Sequence, residues 1–148
     1  LQAVFEMSRR ALADSASQHT VIADLPALKT LIQLQLRNAA SEQCIALFLD
    51  PSLRLIHIET LSEGTPTTLN LHVRTLVQRA LSVNAHAIIL AHNHPNGSAQ
   101  PSEDDIHTTQ ALQEHLRPLG LYLIDHFIVA DGQTPYSLAE NGCISTLF

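Results

Sequence analysis

Two histidines, His92 and His94, stand at the end of an apolar run at residues 87–91. The run predicts a buried strand, and along an extended backbone every second side chain points to the same side of the sheet. Two neutral imidazoles on one side of a strand are suitable ligands for Zn²⁺, which takes nitrogen and oxygen donors in a tetrahedral arrangement. The pattern therefore indicates a metal site that still needs a third ligand, although a lone His-x-His pair most often binds no metal.

Asp105 can supply the third ligand, because it falls in the first turn of a helix that is predicted to begin near Ser102. Three protein ligands and an open fourth position are typical of catalytic zinc, since the open position holds a water whose pKa the metal lowers toward ~7. Ser102 and Asp105 also fit an ordinary helix start, with a serine N-cap and a carboxylate in the first turn. Together with the histidine pair, they fit a metal site better than two coincidences.

The rest of the chain predicts one mixed sheet with helices on its faces, because helical and strand periodicities alternate along it. We expect helices at 1–17, 27–40, 71–84 and 102–117, a hairpin at about 43–61, strands at 85–91 and 121–130, and a short return strand at 135–137 before a last helical turn. Proline and glycine residues fall between these segments, as expected of turns. The order ααββαβαββ predicts a single α/β domain.

Composition limits the classes of protein to consider. A chain of 148 residues with 45% hydrophobic and 15% charged residues can form one domain with a hydrophobic core. No apolar run is long enough to cross a bilayer, and residues 1–10 are too charged for a signal peptide. Cys44 and Cys143 form no zinc or disulfide pattern, so we expect reduced thiols in a cytoplasm. The formal charge of −6 disfavours binding to nucleic-acid phosphates.

The spacing of the candidate ligands resembles that of a known family. His92-x-His94, then seven residues, then Ser102-x-x-Asp105 matches the signature of the JAMM (MPN+) metalloproteases, and the surrounding letters resemble the bacterial RadC branch. The stretches that agree with that branch are His-Asn-His-Pro-Asn-Gly at 92–97, Pro-Ser-Glu-Asp-Asp-Ile at 101–106, Gly64-Thr65, Arg79-Ala-Leu81, Leu123-Ile-Asp-His126 and Asp131-Gly132. The resemblance covers most of residues 42–142.

The resemblance implies a JAB1/MPN-like (cytidine deaminase-like) α/β fold in three layers, with a mixed β-sheet flanked by helices. It also implies one Zn²⁺ per chain, held by His92, His94 and Asp105. The implied function is that of a zinc metallopeptidase, which hydrolyses an amide bond of a peptide or protein substrate with metal-activated water. We expect a bacterial, cytoplasmic protein with no membrane partner.

A glutamate and a serine complete the machinery that the resemblance implies. The family's general acid/base is a glutamate that stands five residues before the Gly-Thr pair, which is Glu59 here. Glu59 also lies among apolar neighbours on a predicted strand, where an idle carboxylate would be costly to bury. Glu63 is the competing carboxylate, in a predicted loop. Ser102 would donate a hydrogen bond to the oxyanion of the tetrahedral intermediate.

RadC-like proteins of full length carry an N-terminal helix-hairpin-helix domain, so we expect this chain to be a fragment. Residues 1–20 would then be the helix that leads from that domain, and residues 21–148 the RadC-like domain. A DNA-repair-associated module without peptidase activity is the alternative function, and a metal-free interaction module is a third. His126 could support the site or be a core histidine, and we favour the core; His72 could face the cleft.

Overall fold

Helices and strands alternate in the computed structural model, which describes residues 2–37, 41–63, 69–95 and 97–146, with the backbone alone at 62–63 and 69–72. The helices are α1 (Gln2–Gln18), α2 (Leu25–Gln35), α3 (Leu69–Ser82) and α4 (Glu103–Leu116), with 3₁₀ turns at Val21–Ala23 and Arg117–Leu119. The strands are β1 (Gln43–Leu49), β2 (Leu55–Glu63), β3 (Ala87–Asn93), β4 (Tyr122–Val129) and β5 (Tyr136–Ser137).

The strands form one mixed sheet in the order β2-β1-β3-β4-β5. β1 runs antiparallel to both β2 and β3, whereas β3 and β4 are parallel and are joined through α4. Because β1 is antiparallel to β3, the first residues of β1 lie beside the last residues of β3, and Cys44 pairs with His92. This arrangement brings a distant part of the chain to the end of the strand that carries the histidines.

Helices pack on both faces of the sheet, which gives three layers. Neighbouring residues of one strand point to opposite faces, so that Leu47 and Ile89 belong to the core under α1 and α2. Phe48 and Ile88 belong to the core under α3 and α4. Every residue of β3 is buried, as expected of a central strand that is covered on both sides.

The predicted fold class, a mixed sheet flanked by helices in an α/β domain, is confirmed. Some boundaries differ: α2 ends at Gln35, and residues 38–40 of the predicted helix lie outside the described residues. β2 runs to Glu63, so this residue ends a strand rather than lying in a loop, and the predicted loop at 64–68 is also outside the described residues. The predicted last helical turn is a hydrogen-bonded turn, in which the Cys143 N–H donates to Leu138 O at 2.9 Å.

α1 packs against the domain through one stripe of small and apolar residues. Leu12, Ala13 and Ala16 contact the core beneath α2, whereas Val4 and Met7 are exposed. The boundary between residues 20 and 21 stays a prediction. None of the described helices is long and apolar enough to cross a membrane.

Candidate metal centre

β3 carries the two predicted histidines to one end of the sheet. His92 lies near the end of the strand and is buried, and His94 follows the strand, its backbone N–H donating to Val129 O at 2.7 Å. This bond holds His94 beside the end of β4. The two Nε2 atoms are 3.0 Å apart. The extended backbone therefore places both imidazoles on one side, as a period of two predicts.

The first turn of α4 directs Asp105 at the same point. Ser102 is the N-cap of the helix, and its hydroxyl accepts a hydrogen bond from the Asp105 N–H at 3.0 Å. In return the Asp105 Oδ2 accepts from the Ser102 N–H at 2.8 Å, which completes a capping box. The held carboxylate lies 3.4 Å from the Nε2 atoms of both His92 and His94.

The spacing of these three side chains fits a tetrahedral zinc ion. Zinc binds imidazole nitrogen and carboxylate oxygen at about 2.0–2.1 Å, so two of its ligand atoms lie roughly 3.3 Å apart. The separations here are 3.0 Å between the two Nε2 atoms and 3.4 Å from Asp105 to each histidine. The Asp105 distances belong to its two oxygens, Oδ1 near His92 and Oδ2 near His94, and each of the three contacts has the length expected between two ligands of one zinc ion.

The protonation of the histidines also suits a metal. The pKa of His92 is lowered to about 4, mainly because burial disfavours the charged ring; Asp105 opposes this shift and the nearby His94 adds to it. His92 is therefore neutral at pH 7. The Nδ1 of His94 lies 2.9 Å from Ser98 O, and because a carbonyl only accepts, this nitrogen must carry the hydrogen. The Nε2 of a neutral His94 then presents a lone pair to the centre.

A second carboxylate, Glu42, joins the cluster from the residue that precedes β1. Its Oε1 lies 3.9 Å from the Nε2 of His92, and one ligand atom each of Glu42, His92 and His94 lies within 4.8 Å of the others. The side chain is 33% exposed, so it can reach a water or a substrate. Sequence reasoning missed Glu42, because no local pattern reveals that the start of β1 lies beside the end of β3.

Asn93, between the two histidines, fixes the backbone on either side of Glu42. Its Oδ1 accepts from the Gln43 N–H at 2.6 Å, and its Nδ2 donates to Ser41 O at 3.1 Å. Asn93 is buried, and a side-chain amide can accept and donate at the same time. The middle residue of the His-Asn-His sequence therefore ties β3 to the segment that carries the second carboxylate.

The structure does not bring Glu59, the predicted general base, to the histidine pair. Glu59 lies opposite Ala46, which pairs with Leu90, two residues before His92. At about 3.3 Å per residue and 4.8 Å per strand, the Cα atoms of Glu59 and His92 are roughly 12 Å apart. Its carboxylate lies 3.4 Å from the Nε of Arg79 on α3. The Glu59 carboxylate therefore has a partner on α3, and its role as general base stays a prediction.

The other residues that the sequence singled out have different outcomes. Ser102 caps α4, and among the described residues no acceptor takes its own hydroxyl hydrogen. His126, which we favoured as a core histidine, is buried and its Nε2 lies 2.7 Å from the Nδ1 of His92. The interpretation of His126 as a plain core residue therefore needs correction. The side chains of Glu63 and His72 lie outside the described residues.

The fold and the site together define a class of protein: a three-layer α/β domain with two histidines and two carboxylates at one end of its sheet. The chain belongs to the family of RadC-like JAB domains, whose profile matches residues 22–143. This result confirms the resemblance seen in the spacing of the ligands. The matched region begins after α1.

Several curated relatives are similar along almost the whole chain. A UPF0758 protein of Marinomonas sp. (strain MWYL1) is 43% identical over 144 residues, which is 97% of this chain and 64% of the relative. A UPF0758 protein of Pseudomonas entomophila (strain L48) is 40% identical over 98% of this chain and 64% of its own length. The chain therefore spans less than two thirds of the curated relatives that it matches.

Proposed function

We propose that the chain is a zinc-dependent metallohydrolase that cleaves an amide bond in a peptide or protein, as a metalloprotease or isopeptidase does. The observation that carries the proposal is the convergence of His92, His94 and Asp105: the two Nε2 atoms are 3.0 Å apart, and each lies 3.4 Å from one oxygen of the Asp105 carboxylate. Three protein ligands leave one position for water, as in catalytic rather than structural zinc sites. When bound, Zn²⁺ supplies a water of lowered pKa and polarises a carbonyl oxygen.

Glu42 acts as the general acid/base in this proposal, in place of Glu59. Its carboxylate lies 3.9 Å from His92 and remains partly exposed, so it can take a proton from the attacking water and return it to the leaving amine. The bonds from Asn93 fix its backbone in the required position. Asp105 lies closer to both histidines and is the ligand, whereas Glu42 is the proton carrier.

Ser102 donates its hydroxyl hydrogen to the oxyanion that forms during hydrolysis. The hydroxyl oxygen already accepts from the Asp105 N–H at 3.0 Å, and this bond orients it without using the hydrogen. A donor aimed at developing negative charge can contribute about 10²–10³-fold to kcat. The N-capping role and the catalytic role are therefore compatible.

A cavity beside His94 offers room for part of a peptide. Its volume is about 470 Å³, within the range of sites for small molecules and short peptides. Apolar Leu34 and Val129 line it together with the charged side chains of Arg37 and Asp131. Of the candidate ligands His94 alone lines this cavity, so a bound segment of substrate would lie beside that histidine.

Metal content and two matched glutamate variants test the proposal. Zinc-loaded protein should contain about one Zn²⁺ per chain, and His92→Ala with His94→Ala should lose it. Glu42→Gln should keep the metal but lose cleavage of peptides in a mixture analysed by mass spectrometry. Glu59→Gln is the control and should keep both properties.

The outcomes separate the hypotheses. A wild-type chain that binds no zinc under supplementation contradicts the metallohydrolase proposal, and cleavage lost in Glu59→Gln but kept in Glu42→Gln would return the base to Glu59. A DNA-repair-associated module remains the alternative proposal, which the formal charge of −6 disfavours. Salt-dependent binding to DNA at physiological ionic strength would support that alternative.

The free thiols of Cys44 and Cys143 suit a reducing cytoplasm.

A further inference from the structure

We propose that His126 and Thr109 are positioning residues that fix which nitrogen of His92 carries its hydrogen, and so prepare His92 as a metal ligand. The inference rests on the proposed metal centre and adds residues that do not touch the metal. Its basis is a chain of three short contacts that begins at one candidate ligand and ends at another.

The three contacts run through the buried interior between β3, β4 and α4. The Nδ1 of His92 lies 2.7 Å from the Nε2 of His126, and the Nδ1 of His126 lies 2.7 Å from the Thr109 Oγ1. The Thr109 hydroxyl is 2.6 Å from the backbone oxygen of Asp105, one turn earlier in α4. Thr109 is fully buried and each histidine is 6% exposed, so water has little access to these polar atoms.

The direction of each hydrogen bond follows from the last acceptor. A carbonyl oxygen only accepts, so the single hydrogen of the Thr109 hydroxyl goes to Asp105 O. The Thr109 oxygen must then accept from the Nδ1–H of His126. When His126 is neutral it has one N–H, so its Nε2 is an acceptor, and the hydrogen on this contact belongs to the Nδ1 of His92.

This direction leaves a lone pair on the Nε2 of His92, where the metal needs it. In a neutral His94 whose Nδ1–H donates to Ser98 O, the Nε2 also carries a lone pair. The two Nε2 atoms are 3.0 Å apart with no hydrogen between them, and two acceptors at this distance repel each other. A cation bound to both atoms removes the repulsion, so the arrangement favours metal binding.

The opposite direction would block the site. If the His126 Nε2 donated to His92, the hydrogen of His92 would lie on its own Nε2, which points at His94. The Thr109 hydroxyl would then donate to His126, and its oxygen would lie 2.6 Å from Asp105 O with no hydrogen between the two oxygens, which is a repulsive contact. Asp105 therefore contributes twice, through its side chain as a ligand and through its backbone as the end of the relay.

The test combines imidazole ¹⁵N NMR of the metal-free chain with zinc affinity measured by competition against a chromophoric chelator. In the wild type, His92 should be in the Nδ1–H form. Thr109→Val and His126→Leu should lose the dominance of this form, and zinc affinity should fall about 10–100-fold, as for other residues that support a ligand. Thr109→Ser keeps the hydroxyl and His126→Gln keeps an acceptor, so both should retain more affinity than their apolar counterparts.

Two control variants separate this role from general destabilisation. Thr30→Val removes the same kind of hydroxyl-to-carbonyl bond, to Pro26 O at 3.0 Å in α2. Gln113→Leu removes a buried polar side chain one turn beyond Thr109 in α4, where it donates to Leu123 O at 2.9 Å. Both controls should leave the His92 tautomer and the zinc affinity unchanged, whatever they do to the free energy of unfolding.

The inference is overturned if Thr109→Val and His126→Leu bind zinc as tightly as the wild type does. It is also overturned if they lose affinity while the His92 tautomer stays unchanged, because such a loss would come from altered packing alone. If those variants do not fold, the wild type still decides: His92 in the Nε2–H form contradicts the relay. Because the tautomer is read in the metal-free chain, this result is independent of whether the protein hydrolyses a substrate. The proposed hydrolase function can therefore be wrong while the hydrogen-bond relay is right. Equally, the relay can be wrong while the hydrolase function is right.

Discussion

At the scale of single residues, the carboxylate of Asp105 takes part in two arrangements at once. One oxygen accepts from the Ser102 N–H at 2.8 Å and thereby closes the capping box of α4. The same group lies 3.4 Å from each of His92 and His94. A side chain that is already ordered by its helix loses little conformational entropy when it binds a metal. Helix capping therefore orders the carboxylate that we propose as the third ligand.

Cys44 provides a residue-scale prediction, because it is buried beside the same cluster. Burial, together with the negative charges of Glu42 and Asp105, raises the pKa of its thiol to about 12. The thiolate is the reactive form, so at pH 8 iodoacetamide should modify the half-buried Cys143 and spare Cys44. Mass spectrometry should find one label per native chain and two after unfolding in urea.

The raised pKa of Cys44 also predicts how the free energy of unfolding changes with pH. An unfolded Cys44 ionises near its ordinary pKa of 9.0, whereas the folded thiol stays protonated to about 12. The folded state then holds more protons, so the free energy of unfolding should fall as pH rises from about 9 toward 12. Cys44→Ala should reduce this alkaline loss. For the labelling experiment, equal modification of Cys44 and Cys143 in the native chain would contradict the prediction that Cys44 is spared.

At the scale of elements, Asn93 joins the end of β3 to the chain that enters β1. Asn93→Ala removes the acceptor of the Gln43 N–H and the donor to Ser41 O. Removing one partner of hydrogen bonds at a buried side chain costs about 1–3 kcal/mol, so the urea midpoint should fall accordingly. Zinc affinity should change little, because all three proposed ligands remain.

Peptide cleavage should respond differently from zinc affinity in the same Asn93→Ala variant. Since Asn93 holds the backbone beside Glu42, cleavage should fall more than metal binding does. Asn141→Ala is the control, because its Nδ2 donates to Ser137 O at 2.7 Å in the turn after β5. A wild-type urea midpoint in Asn93→Ala would show that the two bonds contribute nothing.

At the scale of the whole molecule, the candidate metal centre lies at the edge of a fold that has its own cores. One core lies under α1 and α2 and another under α3 and α4, and each contains fully buried side chains such as Ile32 and Leu76. We therefore expect a chelator to remove zinc without unfolding the chain, so that circular dichroism at 25 °C is retained.

Zinc should nevertheless raise the stability of the whole domain by mass action. A ligand that binds only the folded state at 100 times its Kd adds about 2.7 kcal/mol to the free energy of unfolding. The Tm of the wild type should rise with zinc concentration, and that of His92→Ala should not. Unfolding of the wild type by the chelator alone would mean that the metal, rather than the two cores, holds the fold.

The sequence by itself determined the parts of this protein that depend on neighbours in the chain. The strand before His92, the spacing of His92 and His94, and the capping box from Ser102 to Asp105 are all local patterns, and the structure contains each of them. The α/β class followed from the alternation of helical and strand periods. Local hydrogen bonds and side-chain periodicity suffice for these features.

Only the tertiary structure decided which distant residues complete the site. The order β2-β1-β3 places Glu42 beside His92 and leaves Glu59 beside Arg79, and a hairpin read from sequence does not say which strand lies next to β3. The contact of His126 with His92 likewise depends on β4 lying parallel to β3. Strand order is set by the packing of both faces of the sheet, and no local pattern encodes it.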